Sequence, residues 1–193
     1  MTYRHVALIG RARAGKDSVG ARLVARHDFV RVAFADPLRY AALDLDPIVS
    51  AESTALGALP IRLSDTVRQH GWEHAKERPE VRRTLQRLGE AMRLHDPAIW
   101  LRLALTKVDT ADRWAVPVVI TDVRHTNEAE ALRERGFLLV RVVRPGDHGP
   151  VSRDEQQHIS ETALDDYPAD AVLTNGGSLA ELHQAADGLA VPR

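Results

Sequence analysis

Val6-Ala7-Leu8-Ile9-Gly10-Arg11-Ala12-Arg13-Ala14-Gly15-Lys16-Asp17-Ser18 is the stretch on which the fold turns. Four consecutive apolar residues bounded by a glycine read as a short strand buried on both faces. Asp17 to Arg26 reads as a helix. Between them, Gly10, Gly15 and Lys16 spell G-x-x-x-x-G-K in the strand–loop–helix setting that a phosphate-binding loop requires. The glycines let the backbone fold back so that its N–H groups converge on phosphate oxygens, and the helix N-terminus adds partial positive charge. Lys16 would reach the β- and γ-phosphates. Gly10, Arg13, Ala14, Gly15, Lys16, Asp17 and Ser18 are therefore the candidate donor-phosphate residues. The Ser or Thr that usually follows the lysine is replaced by Asp17, with Ser18 one position later. That leaves Asp17, directly or through water, and Ser18 as candidate Mg²⁺ ligands.

Working outward, Phe29 to Phe34 is a second strand, ending at Ala35-Asp36-Pro37. Pro37 suits the first turn of a helix capped by Asp36, which continues through Leu45. Asp46 to Pro60 holds Pro, Ser and Gly with little periodicity and reads as a loop or insertion. Ser64 to Leu94 is largely helical, interrupted near Gly71 and at Pro79, and Pro97 opens another helix to about Val108. Val116 to Ile120 is a third strand. Asn127 to Arg135 is a helix stopped by Gly136, and Phe137 to Val143 is a fourth strand. Arg144 to Gln157 is a polar excursion. Ala171 to Leu173 is a fifth strand, and Asn175-Gly176-Gly177 turns the chain into a last helix, Leu179 to Leu189. Apolar strands alternating with helices predict a parallel sheet of about five strands covered on both faces. The expectation is an α/β three-layer fold, one domain over 1–193, with a helical insertion at 46–110 and a lid at 144–160.

Composition narrows the class. Of 193 residues, 44% are hydrophobic and 27% charged, which excludes a disordered or collagen-like chain. The absence of cysteine excludes disulfides, thiolate metal sites and cysteine nucleophiles. No apolar run approaches the ~20 residues needed to cross a bilayer. A net charge of −1 argues against a nucleic-acid coat or a polybasic membrane binder. Tyr3-Arg4-His5 leads straight into the first strand, so no cleaved leader and a cytoplasmic location are expected. A homodimer is left open. Lys16, Lys76 and Lys107 are the only lysines. A GC-rich genome accounts for such a bias, so each arginine has to be argued by position.

Ligands of open α/β sheets bind at the carboxyl ends of strands. Asp36 and Asp122 stand at such ends. Asp122, after Val118-Val119-Ile120-Thr121, is placed like a Walker B acid beside the loop and its metal. Asp36 is either a helix cap or an acid that orients the acceptor. Each is followed by an arginine, Arg39 and Arg124, at the same mouth. Two such forks facing a phosphate loop suggest a second phosphorylated ligand, although a solvated ion pair would explain either one. Arg144 and Arg153 lie in the excursion after strand four, which reads as a lid bringing positive charge onto a transferring phosphoryl group, or as an exposed linker. The spacing of His158 is not diagnostic of a metal site. In the insertion, Leu85, Leu88 and Met92 form a core stripe, whereas Arg83, Gln86 and Arg87 share another face. Gln86 could read a base edge; Trp100 could stack on a base or fill core.

In this order, the pieces resemble the phage-type deoxynucleoside monophosphate kinases of the P-loop kinase superfamily. The resemblance is carried by Gly10 to Ser18, Phe34-Ala35-Asp36-Pro37-Leu38-Arg39 and Leu85 to Gly89 with Arg93, Asp96 and Trp100. It continues in Ile120-Thr121-Asp122-Val123-Arg124 through Asn127-Glu128, in His158 to Glu161, and in Asn175-Gly176. It implies phosphoryl transfer from ATP, with Mg²⁺, to a deoxynucleoside monophosphate. The loop and Lys16 would hold ATP, and Asn175 would fall on its adenine side. Asp36, Arg39 and Arg124 would engage the acceptor phosphate, with Arg83, Gln86, Arg93, Trp100 and Asp122 on the acceptor side. Lys16, Asp36, Arg124, Arg144 and Arg153 would carry catalysis, and Asp17, Ser18 and Asp122 the metal. Two alternatives remain: a P-loop kinase for another phosphorylated small molecule, of the phosphomevalonate or dephospho-coenzyme A type, and a nucleotide-binding module without turnover.

Overall fold

All four residues of β1 (Val6–Ile9) are inaccessible to solvent. A strand buried this completely needs a neighbour on each edge and a layer on each face. A computed structural model, which describes residues 2–55, 57–146 and 163–193, supplies both. β1 pairs in parallel with β5 (Val118–Ile120) on one edge and β6 (Leu138–Val143) on the other. β2 (Val30–Val32) lies beyond β5 and β7 (Ala171–Thr174) beyond β6, so the order is β2-β5-β1-β6-β7. This is the expected α/β fold, a five-stranded parallel sheet flanked by helices.

Alternation along the strands sorts the faces. Val6, Leu8, Val119, Val140, Val142 and Leu173 form one apolar cluster with Val19 and Leu23 of α1 (Lys16–His27) and Leu182 and Ala186 of α7 (Leu179–Asp187). Ala7, Ile9, Val118, Ile120 and Leu139 turn to the opposite face. There α6 (Thr126–Glu134) lies against β6, with Ala129 and Leu132 fully buried. Because the strands are parallel, β1, β2, β5, β6 and β7 all end on one edge, and their following segments meet there.

The sheet and its flanking helices belong to one compact unit, Met1–Phe34 with Ala104–Arg193; Ala35–Leu103 form a second. The second unit contains α2 (Ala35–Leu45), α3 (Leu63–Ala75), α4 (Pro79–His95) and the first turns of α5 (Ile99–Arg113). Between α2 and α3, where an irregular loop is expected over Asp46–Pro60, the chain forms an antiparallel hairpin, β3 (Ile48–Thr54) and β4 (Gly57–Arg62). Ten of the thirteen residues of the two strands are exposed, so the hairpin buries no alternate face and leaves no period of two in the sequence. Its base is pinned instead: the Asp46 carboxylate accepts the Ser64 N–H at 2.9 Å, and Arg62 donates to the Asp46 carbonyl at 2.8 Å. Val49, Ala42, Leu63, Ala75 and Val81 make the core of this unit, with Leu85 and Leu88 packed on it as the helical stripe predicts. Among the described residues no helix is long and apolar enough to cross a membrane.

The approach of α1 to β5 depends on Gly20. A Cβ there would stand 2.5 Å from Thr121 Cγ2, inside contact distance, with Val119 beyond it. Alanine is the better helix former by about 1 kcal/mol, but overpacking a tight core costs about 1–3 kcal/mol. Gly20→Ala is therefore expected to lower the thermal unfolding midpoint, and adding Thr121→Ser, which deletes the opposing methyl, to recover much of the loss. A Gly20→Ala protein as stable as the parent would show that the helix can lift at no cost.

Candidate functional site

The β1–α1 loop is held by backbone geometry that only a few residues tolerate. Gly10 has φ 131°, and a Cβ on it would lie 2.3 Å from the Val142 carbonyl oxygen. Gly15, which caps α1, has φ 107°, and a Cβ there would lie 2.6 Å from Asn175 Nδ2. Between them Arg13 takes the left-handed conformation, φ 62°. Asn175, just past β7, donates its side-chain amide to the Ala14 carbonyl at 2.9 Å and its own N–H to the Val143 carbonyl at 2.7 Å. Asn175 thus sits as a strut between the loop and the end of β6. Ala14 is buried beneath it.

Lys16 turns back over this loop. Its ammonium donates to the carbonyls of Gly10 and of Arg11, the latter at 2.8 Å. Lys16 and Gly10 line a shallow cleft together with Val123, Arg124, Arg141, Leu164 and Asp165. Arg124 is exposed and follows β5; the turn carrying it is fixed by Glu128 of α6. The Glu128 side chain is 1% exposed, and its Oε2 accepts the N–H of Arg124 at 2.9 Å and of His125 at 3.1 Å. Asp122 accepts the Phe34 N–H at 3.0 Å and so ties the end of β5 to the end of β2. Asp17 and Ser18 lie in the first turn of α1, exposed and half-buried respectively. Among the described residues no three His, Asp or Glu side chains converge as a metal cage.

Two members of this cleft escape a reading of the sequence. Arg141 lies inside the apolar β6 and donates one guanidinium nitrogen to the carbonyls of Leu164, at 2.8 Å, and Tyr167. Asp165 holds Arg11 of the phosphate loop in a 2.7 Å ion pair. The signal for Arg141 was present: a charge within an otherwise apolar strand needs partners. For Asp165 no local pattern marks the pairing. Arg144 is exposed just past β6. Arg153, His158, Ser160, Glu161 and most of the expected lid lie outside the described residues.

The remaining candidates belong to the second unit. Asp36 sits in the first turn of α2 and approaches Arg39 at 3.4 Å. The Arg39 side chain is 17% exposed; its Nη2 is 3.9 Å from Glu73, and its buried Nε has no hydrogen-bond partner. On α4, Gln86 and Arg87 are exposed, Arg93 is half-buried, and Arg83 pairs with Glu80 one turn earlier at 2.7 Å. Trp100 is 4% exposed and aims its indole N–H at the Gly89 carbonyl, 3.4 Å away, so it packs as core.

Comparison with known proteins supplies a family. Residues 48–186 match the family model of deoxynucleotide monophosphate kinases. The chain is 35% identical over 106 residues to the deoxynucleotide monophosphate kinase of Escherichia phage RB69, a match covering 53% of this chain and 41% of that protein. It is 34% identical over 105 residues to the protein of the same name from Enterobacteria phage T4, covering 53% and 42%. These matches span less than half the length of either phage protein. A relative from Acanthamoeba polyphaga mimivirus is 28% identical over 188 residues, 92% of this chain and 91% of its own. The family match begins after the phosphate loop, which therefore rests on its own sequence and geometry.

The buried Glu128 gives a test of how the Arg124 turn is held. Glu128→Ala strips the carboxylate from two N–H donors, and a buried donor left unpaired costs about 1–3 kcal/mol. Glu128→Gln keeps an acceptor oxygen and is expected to lose less. Urea unfolding of both variants measures this; equal losses would mean that the charge, and not the two hydrogen bonds, is what Glu128 supplies.

Proposed function

The chain belongs to the deoxynucleotide monophosphate kinase family, and from that premise we propose that it transfers the γ-phosphoryl group of ATP to a deoxynucleoside monophosphate, giving ADP and the deoxynucleoside diphosphate. The observation that carries this reading is the cleft at the β1–α1 loop. Gly10 and Lys16 of the loop, Arg124 after β5 and Arg141 on β6 all line one space, on the two sides of β1.

In this reading the N–H groups of the loop and of the first turn of α1 take the donor phosphates, with Lys16 on the β- and γ-phosphates. An oxygen of the acceptor phosphate attacks the γ-phosphorus, and the bond from that phosphorus to the bridging oxygen of ADP breaks. The second pKa of a phosphate monoester is about 6, so the acceptor is already an anion at neutral pH and no strong base is required. Catalysis is then positioning and charge stabilisation. Arg124 is the candidate acceptor-phosphate contact beside the loop, and Arg39, with Asp36 orienting it, is the candidate acceptor-phosphate contact of the second unit. Gln86 and Arg93 stand on the nucleoside side, and Arg144 follows β6 as a further cation. Asn175 holds the loop on the donor side. The role of 144–160 as a lid completes the proposal.

Mg²⁺ keeps much of its water and is commonly bound by one or two carboxylates plus substrate phosphates. A site with Asp17, Ser18 and Asp122 as its oxygen donors suits that ion better than a metal needing an all-protein cage. When bound, it would neutralise charge on the phosphates of ATP.

A panel of acceptors with ATP and Mg²⁺, followed by ADP release, tests the reading. One or more of dAMP, dCMP, dGMP and dTMP is expected to react, and the bare nucleosides to react poorly, since a neutral acceptor leaves the arginines without a partner. Equal rates for a nucleoside and its monophosphate would remove the second phosphate site. Activity confined to phosphomevalonate or dephospho-coenzyme A would place the enzyme elsewhere among P-loop kinases, and no turnover at all would leave a binding module.

Lys16→Ala isolates the donor side. It removes the ammonium over the loop without touching the core, and turnover is expected to fall at least ~100-fold, about 2.7 kcal/mol of transition-state stabilisation. A folded Lys16→Ala protein with parental turnover would refute the loop assignment.

A further inference from the structure

We infer that Trp72, aimed by a break in α3 at Gly71, is a positioning residue that fixes the guanidinium of Arg39; this rests on the reading of Arg39 as an acceptor-phosphate clamp. Gly71 lies inside α3 but leaves helical geometry, with φ 74° and ψ 169°. That region is essentially open to glycine alone. Crowding is not the reason, because a Cβ at Gly71 would meet nothing within 4 Å. The requirement is for the backbone dihedral itself, at the residue preceding Trp72.

The consequence lies one residue on. Trp72 packs one side against the apolar cluster of Ala42, Val49, Leu63, Ala75 and Val81. The guanidinium carbon of Arg39 stands 5.7 Å from its ring centroid, within cation–π range. Arg39 needs such support. Its polar contacts are long, 3.4 Å to Asp36 and 3.9 Å to Glu73, and its Nε is buried without a partner. A guanidinium this poorly hydrogen-bonded would be free to turn about its stem if only those carboxylates held it. An indole face at this range restricts the plane of the fork, and a fixed plane is what a bidentate phosphate contact requires. The α3 break and the Arg39 stack are thus one device: an unbroken helix would carry Trp72 round to a different side.

The test is a double-mutant cycle, read on two ligands. Trp72→Leu keeps apolar volume against the cluster but removes the ring face. It is expected to raise KM and calorimetric Kd for the best acceptor among dAMP, dCMP, dGMP and dTMP by about 5- to 30-fold, the range of a desolvated cation–π contact. The KM for ATP should stay within about twofold. Trp72→Phe should recover part of the loss, and Gly71→Ala, whose side chain is in open space, should reproduce it. In an Arg39→Met background, Trp72→Leu should add nothing. If Arg39→Met leaves acceptor binding unchanged, the clamp assignment of Arg39 fails and the inference with it. If Arg39→Met weakens acceptor binding but Trp72→Leu does not, or Trp72→Leu acts equally with Arg39 gone, the clamp stands and Trp72 is only core. A fall in affinity for ATP as large as for the acceptor would also overturn the inference.

Discussion

The β1–α1 loop has no room for a side chain at either end, and the arrangement around it follows from that. Gly10 is pressed on the backbone of β6 at Val142, and Gly15 on the side chain of Asn175 beyond β7. The loop is therefore wedged against two strand ends rather than suspended above them. If the loop takes phosphates as proposed, N–H groups already placed by the fold would spare binding part of the entropy of ordering them. Gly20 extends the same constraint one turn into α1 by letting the helix sit down on Thr121. The three glycines do different work. Gly10 and Gly15 supply positive φ as well as space, and Gly20 supplies space alone.

What could be read beforehand divides along physical lines. The central strands of the sheet were legible because burial on both faces leaves unbroken apolar runs such as Val6–Ile9 and Val118–Ile120. The helix break near Gly71 and the restart at Pro79 were legible because glycine and proline act on the backbone locally. The β3–β4 hairpin was not, since strands exposed on both faces carry no hydrophobic period. At the site, residue types at strand ends were legible and their partners were not. Asp122 stands where a strand-end acid was expected, yet the atom it grips is the Phe34 N–H, a contact 88 residues away in the chain. Glu128 was visible as part of a motif, but its hold on two consecutive N–H groups is a matter of three-dimensional placement.

Arg141 shows why a charge inside an apolar strand deserves its own accounting. Its neighbours Val140 and Val142 turn to the α1–α7 cluster, so strand alternation sends Arg141 to the other face, at the carboxyl edge. There its guanidinium donates to the Leu164 and Tyr167 carbonyls and fastens the segment past residue 163 to the sheet. Carbonyl oxygens accept these hydrogen bonds without cancelling the charge. Arg11 and Asp165 differ, because in that pair a carboxylate meets a guanidinium and most of the charge is balanced.

That contrast bears on how an anion would enter the cleft. A phosphate approaching Arg11 competes with Asp165, a contact half in solvent and worth little on its own. A phosphate approaching Arg141 displaces no carboxylate; it meets a cation already oriented by two main-chain acceptors, with donors still available on the same planar group. Orientation without neutralisation is what a preorganised anion site needs, since the charge is retained and the cost of fixing the side chain has been met in folding. The same division holds in the second unit for Arg39, where long contacts to Asp36 and Glu73 leave the guanidinium loosely paired and an aromatic face limits its rotation. Arg141 is thus oriented through carbonyls that leave its charge intact, whereas Arg39 has two carboxylates at long range beside the aromatic face.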